Sequence, residues 1–232
     1  MHFEHAAEIW QTFPGLVPGV LFAEGITPDA AIGSRTAAFT AVATDRLAQG
    51  TESELPEIQA WRRAFAAMGL KPTQYRCAAE SLLRRFRQQG TLPRLHPLVD
   101  LCNAVSLAFA IPVAVFDVAK ITGLLQVRYA EGDEVYLTFS GELEQPAAGE
   151  VIFADQAGRA HARRWSNRQS AHSAVGNMTT DALIVAEALH ESAASDMPAL
   201  VAAIAGELGE LWDIKPAVAI LTGSSPRFTF AR

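Results

Sequence analysis

The stretch PLVDLCNAVSLAFAIPVAVFD, residues 97–117, contains the change of hydrophobic period that decides the fold class. Its first half predicts a helix over residues 98–109. One face of that helix carries Leu98, Leu101, Val105 and Ala108. After Pro112, the short apolar run Val113–Phe116 predicts a buried strand. The chain therefore mixes helices and strands.

The other predicted elements do not follow a regular βαβ order. Helices are predicted over about residues 4–12, 28–48, 61–68, 77–89 and 198–212. Strands are predicted at about residues 17–23, 125–129, 135–139, 151–154, 160–165, 182–185 and 217–222. The polar segment Gln49–Ser53 is the best candidate for an internal boundary, and Gly223–Arg232 is interpreted as a tail. This order predicts an α+β or mixed α/β fold.

The composition is that of a globular protein, and we expect residues 1–232 to form a single domain. Half of the residues are apolar, and 19 basic against 25 acidic residues give a net charge of −6. This balance argues against a constitutive binder of duplex DNA, although a local basic patch could still bind RNA. The longest apolar run is too short to span a membrane, and the N-terminus has no signal-peptide pattern, so we expect a cytoplasmic protein.

Common cofactor and metal motifs are missing from the sequence. It contains no phosphate loop, dinucleotide fingerprint, serine elbow or HExxH motif. Cys77 and Cys102 are too few for a disulfide framework and are predicted to be small apolar fillers. The six histidines lack metal-site spacing, and each is predicted to be a surface or capping residue. We therefore expect no cofactor and no metal.

Four clusters of polar residues are candidates for a site. The first is a helix face on which arginine forks suit phosphate oxygens and Glu80 could orient Arg76 or Arg84. This face consists of Arg76, Glu80, Arg84 and Arg87. The alternative is a solvated face with a Glu80–Arg84 pair worth about 0.3–0.5 kcal/mol. The second cluster is Asp100 with Asn103, which is either a functional site or a network that ties the helix to a loop.

The third cluster is the densest basic stretch of an acidic chain, and it includes an aromatic residue. It comprises Arg159, Arg163, Arg164, Trp165, Arg168, Gln169 and Ser170. Such a stretch is typical of a surface that stacks on bases and contacts phosphates, or of a strand edge protected by positive charge. The fourth candidate is Glu187 after a predicted strand, where a carboxylate can accept an amine, orient water or belong to a surface turn.

Several segments, in this order, resemble a known family. Residues 92–103, LPRLHPLVDLCN, resemble the V-D-x-x-N helix of the editing and tRNA-binding domain, called B-three/B-four, of the phenylalanyl-tRNA synthetase beta subunit. PVAVFD, residues 112–117, resembles the strand ending in Phe-Asp that follows there. Further similar segments are Gly123, 127–134, 151–155 and 179–187, while Tyr75–Glu80 and 164–170 are similar to a free-standing form of the domain.

This resemblance covers about residues 60–190 and implies layered mixed sheets with packed helices. Residues 1–50 and 195–222 are then extensions that complete or cap the core. The implied activity is trans-editing: hydrolysis of wrongly attached amino acid from the 3′ end of tRNA, without the ligase activity of a whole synthetase. The family has a histidine where this chain has Ala114, so the resemblance implies altered pocket chemistry.

The resemblance also implies roles for the clustered residues. An aminoacyl ester is already activated, so its hydrolysis needs positioning, a water and stabilisation of the oxyanion. Glu187 would hold the amino group or the water, and Asn103 and Gln169 would polarise the carbonyl. The expected substrate-binding residues are Arg76, Glu80, Asp100, Arg168 and Ser170. The expected RNA-binding residues are Arg84, Arg87, Arg163, Arg164 and Trp165.

Two other functions remain open at this point. One is a non-catalytic module that binds tRNA or a small ligand, which the alanine at position 114 favours. The other is a hydrolase of a small free amide or ester, without RNA, which the net charge favours.

Overall fold

The computed structural model describes residues 1–231. The helices are α1 (Ala7–Thr12), α2 (Gly33–Leu47), α3 (Pro56–Ala67), α4 (Ala78–Gln89), α5 (Pro97–Phe109) and α6 (Ala193–Trp212). The strands are β1 (His2–His5), β2 (Val17–Glu24), β3 (Val113–Asp117), β4 (Leu124–Tyr129), β5 (Val135–Leu137), β6 (Leu143–Glu144), β7 (Val151–Asp155), β8 (Arg159–Arg163), β9 (Arg168–Gln169), β10 (Asp181–Ala188), β11 (Ala217–Ile220) and β12 (Arg227–Thr229). This is a mixed α+β architecture.

Two sheets divide the strands. The larger has the order β12-β1-β4-β7-β8-β5-β6, with β9 paired to β8, and the smaller has the order β11-β2-β10-β3. In the larger sheet β1–β4 and β5–β8 are parallel pairs, whereas the smaller sheet is antiparallel throughout. The larger sheet is therefore mixed, as the irregular order of elements along the sequence predicts.

The smaller sheet is buried on both faces because its strands alternate between two cores. In β10, Leu183 and Val185 pack toward the larger sheet, while Ala182 and Ile184 pack toward α5 and α6. The fold thus stacks the larger sheet, the smaller sheet and a helical layer. This arrangement places the end of β10 between the two sheets.

Local signals in the sequence set the ends of the central helices. The Cys77 thiol accepts a hydrogen bond from the Glu80 backbone at the start of α4, and Gly90 ends that helix with φ of 71°. His96 caps α5 through its side chain, and Pro97 occupies the first turn. The predicted bounds of both helices therefore agree with the observed ones to within one residue.

Both ends of the chain join the larger sheet, which corrects two predictions. Residues 4–12 are not one helix, because alternate burial of Phe3 and His5 makes β1 a strand, and α1 follows it. The predicted tail contains β12, which pairs with β1. Phe230 stacks on Phe22 with ring centroids 4.6 Å apart. Aromatic burial therefore anchors the end of the chain.

Two other boundaries also differ from the predictions. Pro28 and Asp29 form a turn, so α2 begins only at Gly33. The polar segment Gln49–Ser53 is not a boundary, because Glu52 within it is buried and its carboxylate accepts a hydrogen bond from Arg87 at 2.7 Å. The ion pair between Arg87 and the buried Glu52 carboxylate therefore fixes this segment to α4.

Among residues 1–231, every helix is too short or too polar to cross a lipid bilayer.

Candidate functional site

Glu187 lies in β10, one residue before the strand ends. It pairs with Pro18 of β2 in the smaller sheet. Strand alternation puts its side chain on the face that carries Leu183 and Val185, toward the larger sheet. The residue is 3% exposed. A carboxylate buried at this depth requires hydrogen-bond donors to offset the loss of water.

Two aromatic N–H groups meet one oxygen of Glu187. His5 Nε2 lies 2.7 Å from Oε1, and Trp165 Nε1 donates to the same oxygen at 2.8 Å. Because the carboxylate accepts, His5 carries its proton on Nε2 when neutral. Within residues 1–231, no hydrogen bond reaches Oε2 of Glu187 or Nδ1 of His5. The second carboxylate oxygen is therefore free to meet a ligand.

Trp165 is aimed at Glu187 by an unusual stretch of backbone. Arg164 and Trp165 have φ values of 46° and 56°, both in the left-handed region that costs most residues free energy. The Trp165 backbone N–H donates to Val151, at 2.7 Å, and the indole packs edge-on against Phe13 at 4.8 Å and Trp61 at 5.0 Å. Dense packing around the indole holds it in this orientation.

A small apolar cavity opens beside Glu187. Its volume is about 60 Å³, room for about two waters. It is lined by Ala78, Pro112, Val113, Ala114, Phe153, Ala162, Trp165, Ser166, Asn167, Arg168, Gln169, Val185 and Glu187. Ala114 lines this wall, and its small side chain leaves space there rather than a titratable group. The charge at the cavity comes from Glu187 and, at the mouth, from Arg168.

Gln169 and Arg168 share this cavity with Glu187. Gln169 Nε2 donates to the Val115 carbonyl at 2.6 Å, which leaves its second amide hydrogen for another acceptor. The Arg168 guanidinium lies 5.3 Å from the centre of the Tyr136 ring and 3.3 Å from a Glu144 oxygen. The structure therefore brings together three of the residues expected from the sequence.

Asn103 lies elsewhere, which corrects the expectation that it acts beside Gln169. It lines a separate cavity of about 260 Å³ between α2, the end of α4 and α5. Asp100 lines the same cavity, and its carboxylate accepts a hydrogen bond from the Leu95 backbone at 2.9 Å. Burial raises the pKa of this carboxyl group. The hydrogen bond ties α5 to the preceding loop, as the structural alternative predicts.

The arginines predicted to form one face of α4 pair with two different acidic residues. Glu80 is 1% exposed and is bound by Arg62 at 2.5 Å, with Arg76 3.4 Å away. Glu52 instead receives Arg87 at 2.7 Å and Arg84 at 3.8 Å. Neither the Glu80–Arg84 pair nor an unpaired basic face forms, because Glu80 is occupied by Arg62 and Arg76, and Glu52 neutralises Arg84 and Arg87.

Three residues expected to contact substrate or RNA are interior residues instead. Trp165 is fully buried, so it cannot stack on a base. Arg163 is 6% exposed and binds Glu150 at 2.9 Å and Glu144 at 2.5 Å. Ser170 is fully buried, and its hydroxyl donates to the Leu137 carbonyl at 2.9 Å. Each is held by contacts between strands of the larger sheet or between its loops.

Arg164 differs from its buried neighbours. Its guanidinium lies 4.7 Å from the centre of the Tyr75 ring, which leaves the cation on the surface near α4. Arg76 donates to the Thr73 carbonyl at 2.9 Å. Both arginines stay partly exposed.

The sequence did not predict His5 as a site residue, because the spacing of the histidines indicates surface or capping residues. The structure buries His5, His96, His161 and His190, and only His96 caps a helix among these four. The available signal was the alternation of residues 2–5, which predicts a strand with Phe3 and His5 on one face. Nothing local in the sequence indicates that this strand faces β10.

One group of side chains within residues 1–231 has the composition of a metal site. The candidate ligand atoms of Glu57, His190 and Asp196 lie within 4.8 Å of one another. The Glu57 carboxylate is already bound by both oxygens to Arg46, at 2.7 and 2.8 Å. A guanidinium therefore occupies the place of a cation, and this group does not fit a metal ion.

Comparison with known proteins agrees with this geometry. The model of the B3/4 domain family matches residues 60–197, which is more than half of the chain. That segment contains α4, α5, the cavity wall at Ala114 and Glu187.

Curated relatives are similar over shorter segments. The phenylalanine–tRNA ligase beta subunit of Cereibacter sphaeroides is 33% identical over 93 residues, which are 40% of this chain and 11% of that protein. The protein of the same name from Haemophilus influenzae is 34% identical over 64 residues, 28% of this chain and 8% of that one. The chain thus matches about a tenth of the length of these relatives.

Among solved structures, an N-terminal fragment of the phenylalanyl-tRNA synthetase beta subunit from Pyrococcus horikoshii superposes with a TM-score of 0.44 and 9% identity. The superposition covers 94% of this chain and 53% of the fragment.

Proposed function

The chain belongs to the B3/4 domain family, and on this premise we propose that it binds the aminoacylated 3′ end of tRNA and hydrolyses the ester of a wrongly attached amino acid. The observation that carries the proposal is the buried Glu187 carboxylate, with Oε1 held by His5 and Trp165 and Oε2 free at an apolar cavity. Residues 1–232 act in this proposal as a single unit, since strands from both chain ends complete the sheets around that cavity.

The charge at Glu187 suits an aminoacyl group. Its two hydrogen-bond donors, the indole and the imidazole, both meet Oε1, so Oε2 of this buried carboxylate has no donor at the apolar cavity. An α-ammonium group would supply a donor to Oε2. Glu187 therefore binds the amino group of the aminoacyl ester and holds the scissile carbonyl at the cavity mouth.

Hydrolysis then needs a water and donors for the oxyanion. A water attacks the ester carbonyl, the C–O bond to the ribose breaks, and the products are the free amino acid and the tRNA hydroxyl. The second amide hydrogen of Gln169 lies at the cavity, where it can donate to the developing oxyanion. Arg76 and Arg164, which are partly exposed, contact the phosphates of the tRNA end.

The experiment is a panel of correctly and wrongly charged tRNAs, with loss of the attached amino acid followed over time. Glu187→Gln keeps the shape of the side chain and removes its charge, so kcat should fall by about 10²-fold or more. The matched control is Glu191→Gln, an exposed carboxylate four residues further along the chain, which should behave as wild type. Equal rates for wild type and Glu187→Gln would contradict the assignment of Glu187.

A second candidate is a non-catalytic module that binds tRNA. The observation in its favour is Ala114, since the cavity wall carries no histidine that could move a proton. Binding of tRNA without release of amino acid from any member of the panel would establish this alternative. Hydrolysis of free aminoacyl esters as fast as aminoacyl-tRNA would instead indicate a small-molecule hydrolase.

A further inference from the structure

A second, open cleft lies beside the turn between β5 and β6. Its volume is about 400 Å³, and its lining residues are Tyr136, Thr138, Phe139, Ser140, Arg168 and Gln169. Arg168 and Gln169 line both this cleft and the Glu187 cavity, so the two spaces are neighbours. The cleft has the volume of a small-molecule site.

Two flat side chains line this cleft. Phe139 is 71% exposed, although its ring is as apolar as those in the core. The Arg168 guanidinium stacks on Tyr136 with one face, and its side chain remains 42% exposed. Aromatic rings and guanidinium planes are the groups on which proteins stack unpaired nucleobases.

The turn that presents Phe139 is well ordered by hydrogen bonds. The Thr138 hydroxyl accepts from the Glu142 backbone at 2.9 Å and lies 2.8 Å from the Ser140 hydroxyl. Gly141 adopts φ of 91° and donates to the Thr138 carbonyl at 3.1 Å. Phe139 is therefore held out of the core by a defined turn, which lowers the entropic cost of binding a flat ligand.

The charges around the cleft favour a neutral ligand over a phosphate. Arg163 and Arg168 contribute two positive charges, and Glu144 and Glu150 contribute two negative charges in contact with them. The cleft thus has no excess positive charge to attract an anion. Because the cleft shares Arg168 and Gln169 with the Glu187 cavity, it suits the part of the substrate next to the aminoacyl ester, which is the terminal nucleoside.

We propose that Phe139 and Arg168 form a stacking site for the nucleobase of the 3′-terminal nucleotide of tRNA while the amino group of the attached amino acid enters the Glu187 cavity. This inference rests on the proposed function, because it takes the substrate class from it. The site selects for an unpaired base at the end of the strand, since a paired base has no free face. Stacking here, more than contact with phosphates, positions the ester.

The test uses uncharged tRNA whose terminal adenine is replaced by 2-aminopurine, a base whose fluorescence falls when it stacks. Wild type should quench the signal on binding, and Phe139→Ala should lose most of the quenching and bind about 5- to 150-fold more weakly, the range expected for one base stacked on an aromatic ring. Phe139→Trp should restore both. Leu143→Ala, which removes a second exposed apolar side chain of the same hairpin, is the matched control and should match wild type.

Two results would overturn the stacking site: unchanged quenching in Phe139→Ala, or an equal loss in Leu143→Ala. Glu187→Gln separates the two proposals, because it should abolish hydrolysis and keep the quenching. If wild type quenches through Phe139 but releases no amino acid, the deacylase proposal fails and the stacking site stands. If wild type hydrolyses but Phe139→Ala quenches normally, the stacking site alone fails.

Discussion

His5 connects the first strand of the chain to Glu187 through a single hydrogen bond of 2.7 Å. The residue lies outside the family match, which begins at residue 60. The carboxylate at the end of β10 therefore depends on a segment that the B3/4 family model does not include. In the proposed reaction His5 is a positioning residue, since it acts through Glu187 and does not line the cavity.

Replacement of His5 by phenylalanine should lower both activity and stability. The variant leaves Glu187 with one donor, which costs about 1–3 kcal/mol for the lost bond to a buried charged group. We expect kcat of deacylation to fall at least 10-fold, measured well below the Tm of the variant. His5→Gln keeps an N–H donor and should recover part of both losses.

The matched control for His5 is His2→Gln, because His2 lies in the same strand and makes no contact with Glu187. Wild-type kcat in the His5→Phe variant, with the expected loss of stability, would mean that His5 supports the fold and not the site.

At the scale of elements, the contact between β2 and α6 leaves no room for a side chain at Gly19. A Cβ at this position would lie 2.6 Å from both Met197 Sδ and Val201 Cγ2. The strand and the helix can therefore approach closely only because residue 19 is glycine. This contact holds the middle layer of the fold, which carries Glu187, against the helices.

The free energy of unfolding of the Gly19→Ala variant should be about 1–3 kcal/mol lower than that of wild type, because the added methyl group pushes α6 away from the sheet. Gly206 in α6 offers the opposite case, since a Cβ there meets nothing within 4 Å. Gly206→Ala should stabilise by about 0.5–1 kcal/mol through helix propensity. Urea unfolding of both variants measures the two changes in the free energy of unfolding. Changes of the same sign would contradict the close contact of β2 and α6 at Gly19.

The ion pairs among the elements also explain why the arginine-rich segments do not form one basic surface. Arg62, Arg87 and Arg163 each bind a carboxylate that is at least nine-tenths buried: Glu80, Glu52 and Glu150. Burial alone would raise the pKa of Glu52, but the guanidinium of Arg87 outweighs it and the pKa falls below its usual value. The main role of these arginines is therefore to stabilise the tertiary structure.

At the scale of the whole molecule, Asp155 makes the free energy of unfolding depend on pH in the acid range. Burial alone would raise the pKa of this carboxyl group, but His161 and two backbone N–H groups, of Arg159 and Thr122, lower it to about 2. The ordinary value is 3.8. A depressed folded-state pKa adds stability that is complete above the unfolded-state pKa and disappears as the pH falls toward the folded-state value.

The free energy of unfolding should therefore drop by about 2 kcal/mol between pH 5 and pH 2 because of Asp155 alone. In Asp155→Asn this part of the acid dependence should vanish, although the variant is less stable at pH 7. Asp133→Asn, which changes an exposed carboxylate, should keep the wild-type dependence. Chemical unfolding at a series of pH values measures all three, and parallel curves for wild type and Asp155→Asn would contradict the expected linkage.

The sequence by itself determined the features that depend on neighbours along the chain. Helices α4 and α5 follow from the period of their apolar residues and from Gly90 and Pro97 at their ends. The mixed fold class follows from the change of period at Pro112, and the family follows from the order of segments between residues 60 and 197. These signals are local, so one sequence is enough to identify them.

Only the tertiary structure decided which of the polar residues meet. Glu187, Gln169 and Arg168 converge because β9 and β10 face each other across the core, whereas Asn103 on α5 lies beyond the smaller sheet. His5 reaches Glu187 across 182 residues, and buried carboxylates bind Arg163 in the interior and Arg87 at the surface. Such partners are set by how the layers pack, and packing depends on contacts between distant segments that no local pattern records.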